Sequence, residues 1–464
     1  MVNEKAKFLE GSLMRHIAVM ALTSSVGLMA VFLVDLVDMV FISWLGRDEL
    51  AAAVGYSGAI LFFTTSFGIG MAIAAGARVA RAVGEGDIAL ARQRAATSLI
   101  YAFGLGAVFA AVVWWQIPAL VALLGASGTT LALAQGYLSI IVPSLPFLML
   151  GMVGGAILRA YGDARRSMMA TLYGGVVNAV LDPILIFGLA LDLKGAALAT
   201  VAARLTIAAT ALIPVFRHHG GLERPTARAF TVDFGGLAAI AGPAVLTQLA
   251  TPMGQAYVTR AMAAFGEDAV AGLAIISRLL PVAFAVIFAL SGAIGPIIGQ
   301  NYGARKMGRV RRAFRDGVLF AGAVVLAVAA LLFLLRAPIA DLFGAEGEAR
   351  RLVYLFCGPI ALLYFFNGVI FVANAAFNNL GRPFLSTWVN WGRHTLGTVP
   401  FVMAGAALVG APGVLIGQAV GGIVFGALAW LLARRIMARE RGRAAPGDDY
   451  ARQGRLLALF SFKR

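Results

Sequence analysis

Long runs almost free of charge, separated by short charged loops, occupy most of the 464-residue chain, and that pattern leaves few folds open. A helix needs about 20 consecutive apolar residues to cross a bilayer, and these runs supply that length again and again. In lipid the backbone must satisfy its own hydrogen bonds, so the choice is helices or a closed barrel. No alternation of period two is present, and helices follow. The composition agrees, with 60% of residues hydrophobic and 13% charged. Apolar segments run at 16–45, 53–77, 95–124, 132–160, 167–190 and 195–216, then at 237–262, 270–299, 314–336, 351–378, 386–409 and 413–434. The expected fold is therefore an all-α integral membrane protein of about twelve transmembrane helices. The first residues, MVNEKAKFLEGSLMRH, are too charged for the apolar core of a signal peptide, so the first run is expected to stay as a spanning helix.

The net charge of +16 gathers in alternate loops. Arg78, Arg81, Arg92 and Arg94 fall in one, Arg159, Arg165 and Arg166 in the next, then Arg217, Arg224 and Arg228, then Arg305 through Arg315. The intervening loops are poor in Lys and Arg. By the positive-inside rule both termini are cytoplasmic, in a plasma (inner) membrane. Placed this way, the charge addresses the membrane surface rather than nucleic acid. Cys357 is the lone cysteine, which excludes an internal disulfide and a cysteine metal cluster.

The halves of the chain resemble each other. WLGRDELAAAVGYS (44–57) aligns with AFGEDAVAGLAIIS (264–277), RAVGEGDIALAR (81–92) with QNYGARKMGRVR (300–311), and RAYGDARRS (159–167) with NNLGRPFLS (378–386), all at a nearly constant offset. Each half holds about six spans, an even number, so the repeats run parallel. The expected layout is an N-terminal six-helix lobe at 1–216, a cytoplasmic linker at 217–236, a C-terminal six-helix lobe at 237–434 and a basic cytoplasmic tail at 435–464. Two pseudo-symmetric bundles around a central cavity form a transporter architecture, in which rocking exposes one site to each side in turn.

Three carboxylates stand inside apolar runs of the first half: Asp35, Asp38 and Asp182. A carboxylate at mid-membrane costs at least ~2.5 kcal/mol, so it normally faces protein or water. The alternative for Asp35 and Asp38 is a place near the end of span 1, reaching headgroups. Depth favours a shared layer instead. At ~1.5 Å per residue Asp38 and Asp182 each lie roughly 12 Å below the outer edge, and Thr200 about 8 Å. Asn178 precedes Asp182 by one helical turn. Such a pocket suits a proton or a sodium ion, and Pro183 frees the Ala179 carbonyl as a further oxygen. At equivalent positions the second half has Val258 for Asp38 and Val399-Pro400 for Asp182-Pro183, so the charged chemistry belongs to the first half. GYSG (55–58) and GASG (125–128), with His394 as base, raise the distant alternative of an intramembrane serine protease. Small residues of this kind more often let helices approach closely.

VDMVFISWLG (37–46), RAVGEGDIALAR, the NAVLDP core and GQNYGARKMGRVRRA (299–313) together resemble the multidrug and toxic compound extrusion (MATE) transporters, over about 15–434. The resemblance implies twelve helices in two lobes and a secondary active transporter rather than an enzyme. It implies export of lipophilic organic cations against inward protons or sodium, with membrane lipid the only other partner, a monomer, and no cofactor beyond the coupling ion. Asp38, Asn178, Asp182 and Thr200 fall on positions similar to the N-lobe cation site of the prokaryotic DNA-damage-inducible branch. On this reading they couple transport and are the ligands of any sodium, while Asp35, Asp38 and Asp182 meet the substrate. The family often carries a proline early in span 1. Here Thr23 stands there, and Pro243 occupies the equivalent place in the second half. A lipid-linked precursor flippase of the same superfamily is the main alternative. Such proteins resemble MATE transporters but carry several cavity cations, for which only Arg260, Arg278 and Arg393 are candidates here.

Overall fold

A computed structural model describes residues 6–440, and every element in it is helical. In chain order the helices are α1 (Leu13–Trp44), α2 (Asp48–Glu85), α3 (Ile88–Leu123), α4 (Gly128–Ile141), α5 (Leu145–Ala160), α6 (Ala164–Pro183), α7 (Asp192–His218) and α8 (Ala227–Ala263). They continue as α9 (Glu267–Ala283), α10 (Ala285–Gly303), α11 (Met307–Leu342), α12 (Gly347–Leu355), α13 (Ala361–Leu363), α14 (Phe365–Asn379), α15 (Phe384–His394), α16 (Val399–Val409) and α17 (Ala411–Arg439). Among the described residues ten helical stretches are long and apolar enough to cross a membrane, or eleven if the pair bent by 43° at Tyr364 forms one span. Large apolar side chains such as Trp115, Leu334 and Leu408 are at least 75% exposed, an outer surface suited to hydrocarbon.

Several expected spans are not continuous helices: 132–160 is divided between α4 and α5, 351–378 among α12, α13 and α14, and two more are broken as follows. Segment 270–299 is interrupted at Phe284, three residues after Pro281. Segment 386–409 is realised as α15 and α16, two helices of 11 residues with a break at 395–398. There the turn is closed by Gly397 N–H donating to the Gly392 carbonyl at 2.8 Å and Thr398 Oγ1 to the Arg393 carbonyl at 2.9 Å. α1, in contrast, runs unbroken through Thr23.

The repeat is written in the turns. Left-handed backbone at Gly46, Gly86, Gly125, Gly128 and Gly162 recurs at Gly266, Arg305, Gly344, Gly347 and Gly381, the places that the sequence repeat makes equivalent. In the first half two of these turns are followed by an aspartate cap. Asp87 accepts from Leu90 N–H at 2.9 Å and Asp163 from Arg166 N–H at 3.2 Å, each satisfying an orphan donor at a helix start. Arg305, the one member of the set that is not glycine, adopts φ 58° with its chain closed by Lys306 N–H on the Asn301 carbonyl.

The described chain divides into two compact units. One consists of Val26–Val245, with the short stretch before Phe8; the other consists of Leu246 onward, with Phe8–Ser25. Both boundaries fall inside a helix, after Ser25 in α1 and after Val245 in α8, and these two places are equivalent in the repeat. In the second unit Phe8 is buried, and its N–H donates to Gln300 Oε1 at 3.0 Å. Asn301 Nδ2 and Arg309 donate to the Phe8 carbonyl, Lys306 to that of Leu9, and Arg309 to those of Glu10 and Gly11. The GQNYGARKMGRVRRA motif is thus a cradle for residues 8–11. In the first unit the start of α8 is held in the same manner. Arg78 donates to both the side chain and the carbonyl of buried Asp233, Thr97 Oγ1 donates to its other carboxylate oxygen at 3.0 Å, and Tyr101 Oη to the Phe230 carbonyl at 2.6 Å. α8 begins inside the stretch 217–236, and its residues Leu237, Ile240 and Ala241 join the apolar core of α2, α3 and α5.

Candidate functional site

Three helices of the first unit position the predicted site, and small residues set their spacing. On α6, Gly174 approaches the Ala203 carbonyl and the Ile207 side chain of α7, while Gly195 of α7 approaches the backbone of Leu185 and Ile186. These two crossings bracket Asn178 and Asp182 on α6 and Thr200 on α7, so all three share one layer. α1 runs alongside, with Gly27 against Met168 and Thr171 and Val34 against Gly175. Continuing that register carries Asp38 to the level between Ala179 and Asp182.

The carboxyl groups of Asp38 and Asp182 lie within hydrogen-bonding reach of each other. Asp182 is fully buried, and neither of its oxygens meets a donor; one oxygen of Asp38 and the amide nitrogen of Asn178 are likewise buried without a hydrogen-bond partner among the described residues. Two bare carboxylates at this distance repel, and a buried acceptor without a donor costs about 1–3 kcal/mol, more when charged. The contact is satisfied when one carboxyl carries a proton that the other accepts, or when a cation sits between them. Proline helps to shape the place. After Pro183, α6 passes into a wider turn over Ile184–Gly188, closed by Leu189 N–H on the Ile184 carbonyl.

The remaining predicted residues are placed differently. Thr200 is half-buried and donates to the Ala196 carbonyl of its own helix at 3.0 Å, so its hydroxyl oxygen still has lone pairs to offer. Asp35 is exposed, one turn before Asp38 on α1 and within its electrostatic range. Among the described residues no group of three or more His, Cys, Asp or Glu side chains is set to hold a metal ion. Ser57 of the GYSG tetrapeptide is buried with its hydroxyl donated to the Ala53 carbonyl at 2.7 Å.

Two residues near the site escaped sequence reasoning. Tyr137 on α4 is buried within electrostatic range of Asp35, Asp38, Asp182 and Arg204. Arg204 on α7 is also buried, and it donates to the Ile141 carbonyl at 3.2 Å and to Ser144 Oγ at 2.9 Å. It thereby holds the break between α4 and α5, where Pro143 and Pro146 interrupt the helical ladder. A charge in the run ATVAARLTIAAT was signal enough to find Arg204; nothing in GYLSII marks Tyr137.

Comparison with known proteins accounts for the repeat. The protein is 30% identical to a FAD transporter of Shewanella oneidensis over 430 residues, 90% of this chain and 93% of that one. It is 24% identical to the multidrug export protein MepA of Staphylococcus aureus over 70% of this chain and 72% of that one. Its fold is similar to a crystal structure of the Vibrio cholerae MATE transporter VcmN, with a TM-score of 0.88 and 26% identity, covering 95% of this chain and 98% of that one. The MatE family profile matches twice, at residues 24–184 and 243–403, with start and end both displaced by the offset that separates the paired turns. A duplicated multi-pass helical unit matched along both halves is the mark of one family of secondary transporters, which are not enzymes, and the chain belongs to it: MatE, the MATE transporters.

Proposed function

We propose that the protein is a multidrug efflux antiporter that exports lipophilic organic cations in exchange for inward protons or sodium by alternating access. Coupling runs through Asp38, Asn178, Asp182 and Thr200, and Asp35, Asp38 and Asp182 meet the cargo. The single observation that carries this reading is the adjacent Asp38–Asp182 pair, in which Asp182 is buried with both oxygens lacking a donor. Such a pair binds one positive charge and releases it when access switches side. If a cargo cation and the coupling ion compete for the same carboxylates, each expels the other, which is the condition for exchange. The names of the relatives point to different cargo, drugs for MepA and FAD for the Shewanella protein. Drugs of cationic character are adopted here because three acidic side chains gather in the first unit, and aromatic faces add ~0.5–2 kcal/mol of attraction for an organic cation.

The proposed setting is a monomer in the plasma (inner) membrane with both termini cytoplasmic, organised as lobes 1–216 and 237–434 joined through 217–236. Transport of an ethidium-like dye into inverted vesicles, under separately imposed proton and sodium gradients, tests the coupling. Uptake driven by one of the two gradients and lost in Asp182→Asn, at unchanged protein level, is the expected result. Uptake in Asp182→Asn equal to wild type refutes the coupling role. Failure of dye uptake alongside translocation of a lipid-linked precursor would favour the flippase alternative.

A further inference from the structure

At the end of α6 remote from Asp182, the chain leaving α7 is held by three other elements. His219 is the first residue past α7, and its ring stacks on Tyr161 at the end of α5, with centroids 4.7 Å apart and planes 11° from parallel. Its Nε2 stands 3.3 Å from Asp163 Oδ2. The two side chains are 15% and 14% exposed, so water and salt screen the contact little. The residues that follow are bent to fit. Gly220 and Gly221 both adopt left-handed backbone, and Gly221 N–H closes on the Val215 carbonyl at 3.1 Å. The Arg92 guanidinium of α3 lies against Gly220, where a Cβ would stand 1.9 Å from it.

A helix end favours histidine through its dipole, and that alone would explain a basic residue at this position. It does not explain why the ring is laid onto the turn between α5 and α6. Nor does that turn need the contact. The repeat builds the same left-handed turn at Gly381, with Leu380 and Arg382 where the first half has Tyr161 and Asp163. The pairing is confined to the half whose last helix runs on into the 217–236 stretch.

Asp163 is fixed without the histidine, since Arg166 donates to it from both backbone and side chain. Burial opposes its charge, yet the hydrogen bonds from His219 and Arg166 hold the carboxyl below the usual carboxylate range, so it stays ionised at neutral pH. An ionised carboxylate only accepts, and Nε2 therefore carries a hydrogen whether the ring is neutral or charged. Protonation of the ring turns a neutral hydrogen bond into a charge-assisted one, roughly twice as strong. Histidine is the side chain whose ordinary charge change falls between about pH 5 and 8. The other charged groups around the contact are Arg166 on the same carboxylate, Arg92 over Gly220, Arg159 on α5, which donates to Ser167 Oγ at 2.6 Å, and Lys7, whose Nζ donates to the Gly162 carbonyl at 3.1 Å. Arg217 and His218 before it, and Glu223 and Arg224 beyond it, are exposed.

We infer that Tyr161, Asp163 and His219 form a pH-sensitive clasp on the 217–236 stretch, closed when His219 is protonated and loosened when it is neutral. The added grip is present on the acid side of the imidazole titration and fades as pH rises through it, while Asp163 stays ionised. Beyond the clasp the chain rests on the core of α2, α3 and α5 through the partly buried Leu222, before Tyr101 and Arg78 hold Phe230 and Asp233 of α8. The clasp therefore sets how firmly the first part of this stretch is tied to the unit it leaves.

The test is the mobility of a nitroxide label at Glu223→Cys, an exposed position four residues past His219, in purified full-length protein carrying Cys357→Ser. Electron paramagnetic resonance spectra are recorded in lipid nanodiscs from about pH 5 to about pH 8. With the clasp intact the label is held in acid, and its mobile fraction rises about threefold or more through one midpoint in this range. His219→Gln keeps a donor but takes no charge, and it leaves the Arg166–Asp163 pair and the α6 cap in place. It should abolish the transition without unfolding the protein. Asp163→Asn should abolish it too, whereas His218→Gln, one residue away and exposed, should retain it. A label equally mobile at every pH overturns the clasp, and so does a transition that survives in His219→Gln or is lost in His218→Gln.

Discussion

At the scale of single residues, polar groups here are either fully engaged or conspicuously idle. Asp163 belongs to the first kind. It caps α6, accepts from Arg166 at 2.5 Å and lies 3.3 Å from His219 Nε2, whose ring stacks on Tyr161. Burial works against its charge, but the hydrogen bonds from His219 and Arg166 outweigh that and hold the carboxyl below the usual carboxylate range. The stability this contributes is present above the unfolded value near 3.9 and is lost as pH falls below it. Acidification from pH 7 to about pH 3 should therefore lower the melting temperature more in wild type than in Asp163→Asn. Loss of the cap in Asp163→Ala should cost about 1 kcal/mol at pH 7. Asp182 belongs to the second kind, and its idleness was legible beforehand because an acid in a charge-free run has few structural reasons to be there. Arg204 carried the same signal. It differs in being spent on the Ile141 carbonyl and Ser144, a role that depends on a helix break no local pattern announces.

At the scale of elements, the positions of the spans followed from the apolar runs, since length and charge are all that a bilayer asks of a helix. The breaks did not follow. Pro281 precedes the interruption at Phe284, yet Pro118 and Pro338 lie inside helices that continue. Whether a proline ends a helix depends on which neighbours take up the freed carbonyl. The site itself depends on the α6–α7 crossing. At Gly195 a Cβ would stand 2.7–2.8 Å from the Leu185 and Ile186 backbone, which cannot yield as a side chain would. Gly195→Ala should destabilise by about 1–3 kcal/mol, measured by thermal unfolding in detergent, and weaken the proposed coupled efflux through displacement of Thr200. Unchanged melting would show that the crossing is not tight. The Arg78–Asp233 pair at the head of α8 invites a sharper contrast. Asp233→Ala leaves a buried guanidinium unpaired and should cost about 3–5 kcal/mol. The exposed Arg350–Asp341 pair, screened by water, should contribute little by comparison.

At the scale of the whole molecule, the duplication was visible as three aligned sequence stretches and returns as five paired left-handed turns. Orientation in the membrane rests on the loop charges alone. Cysteines at Gly128, Asp192 and Glu346 should label from outside in intact cells, and those at Gly86 and Arg224 only after permeabilisation. The reversed pattern would invert the direction of export. The docking of Phe8 onto Gln300 and Arg309 bears on time as well as shape. The ribosome makes Phe8 well before its partner, and Gln300 follows 292 residues later. At ~5–20 residues per second that is a wait of roughly 15–60 s, during which several spans enter the membrane while residues 8–11 have no seat. Nascent chains arrested before Gln300 emerges should leave a cysteine at Phe8 open to a water-soluble maleimide. Chains arrested well beyond Arg309 should protect it, so the closing of residues 8–11 would wait until the second half of the chain has supplied its cradle.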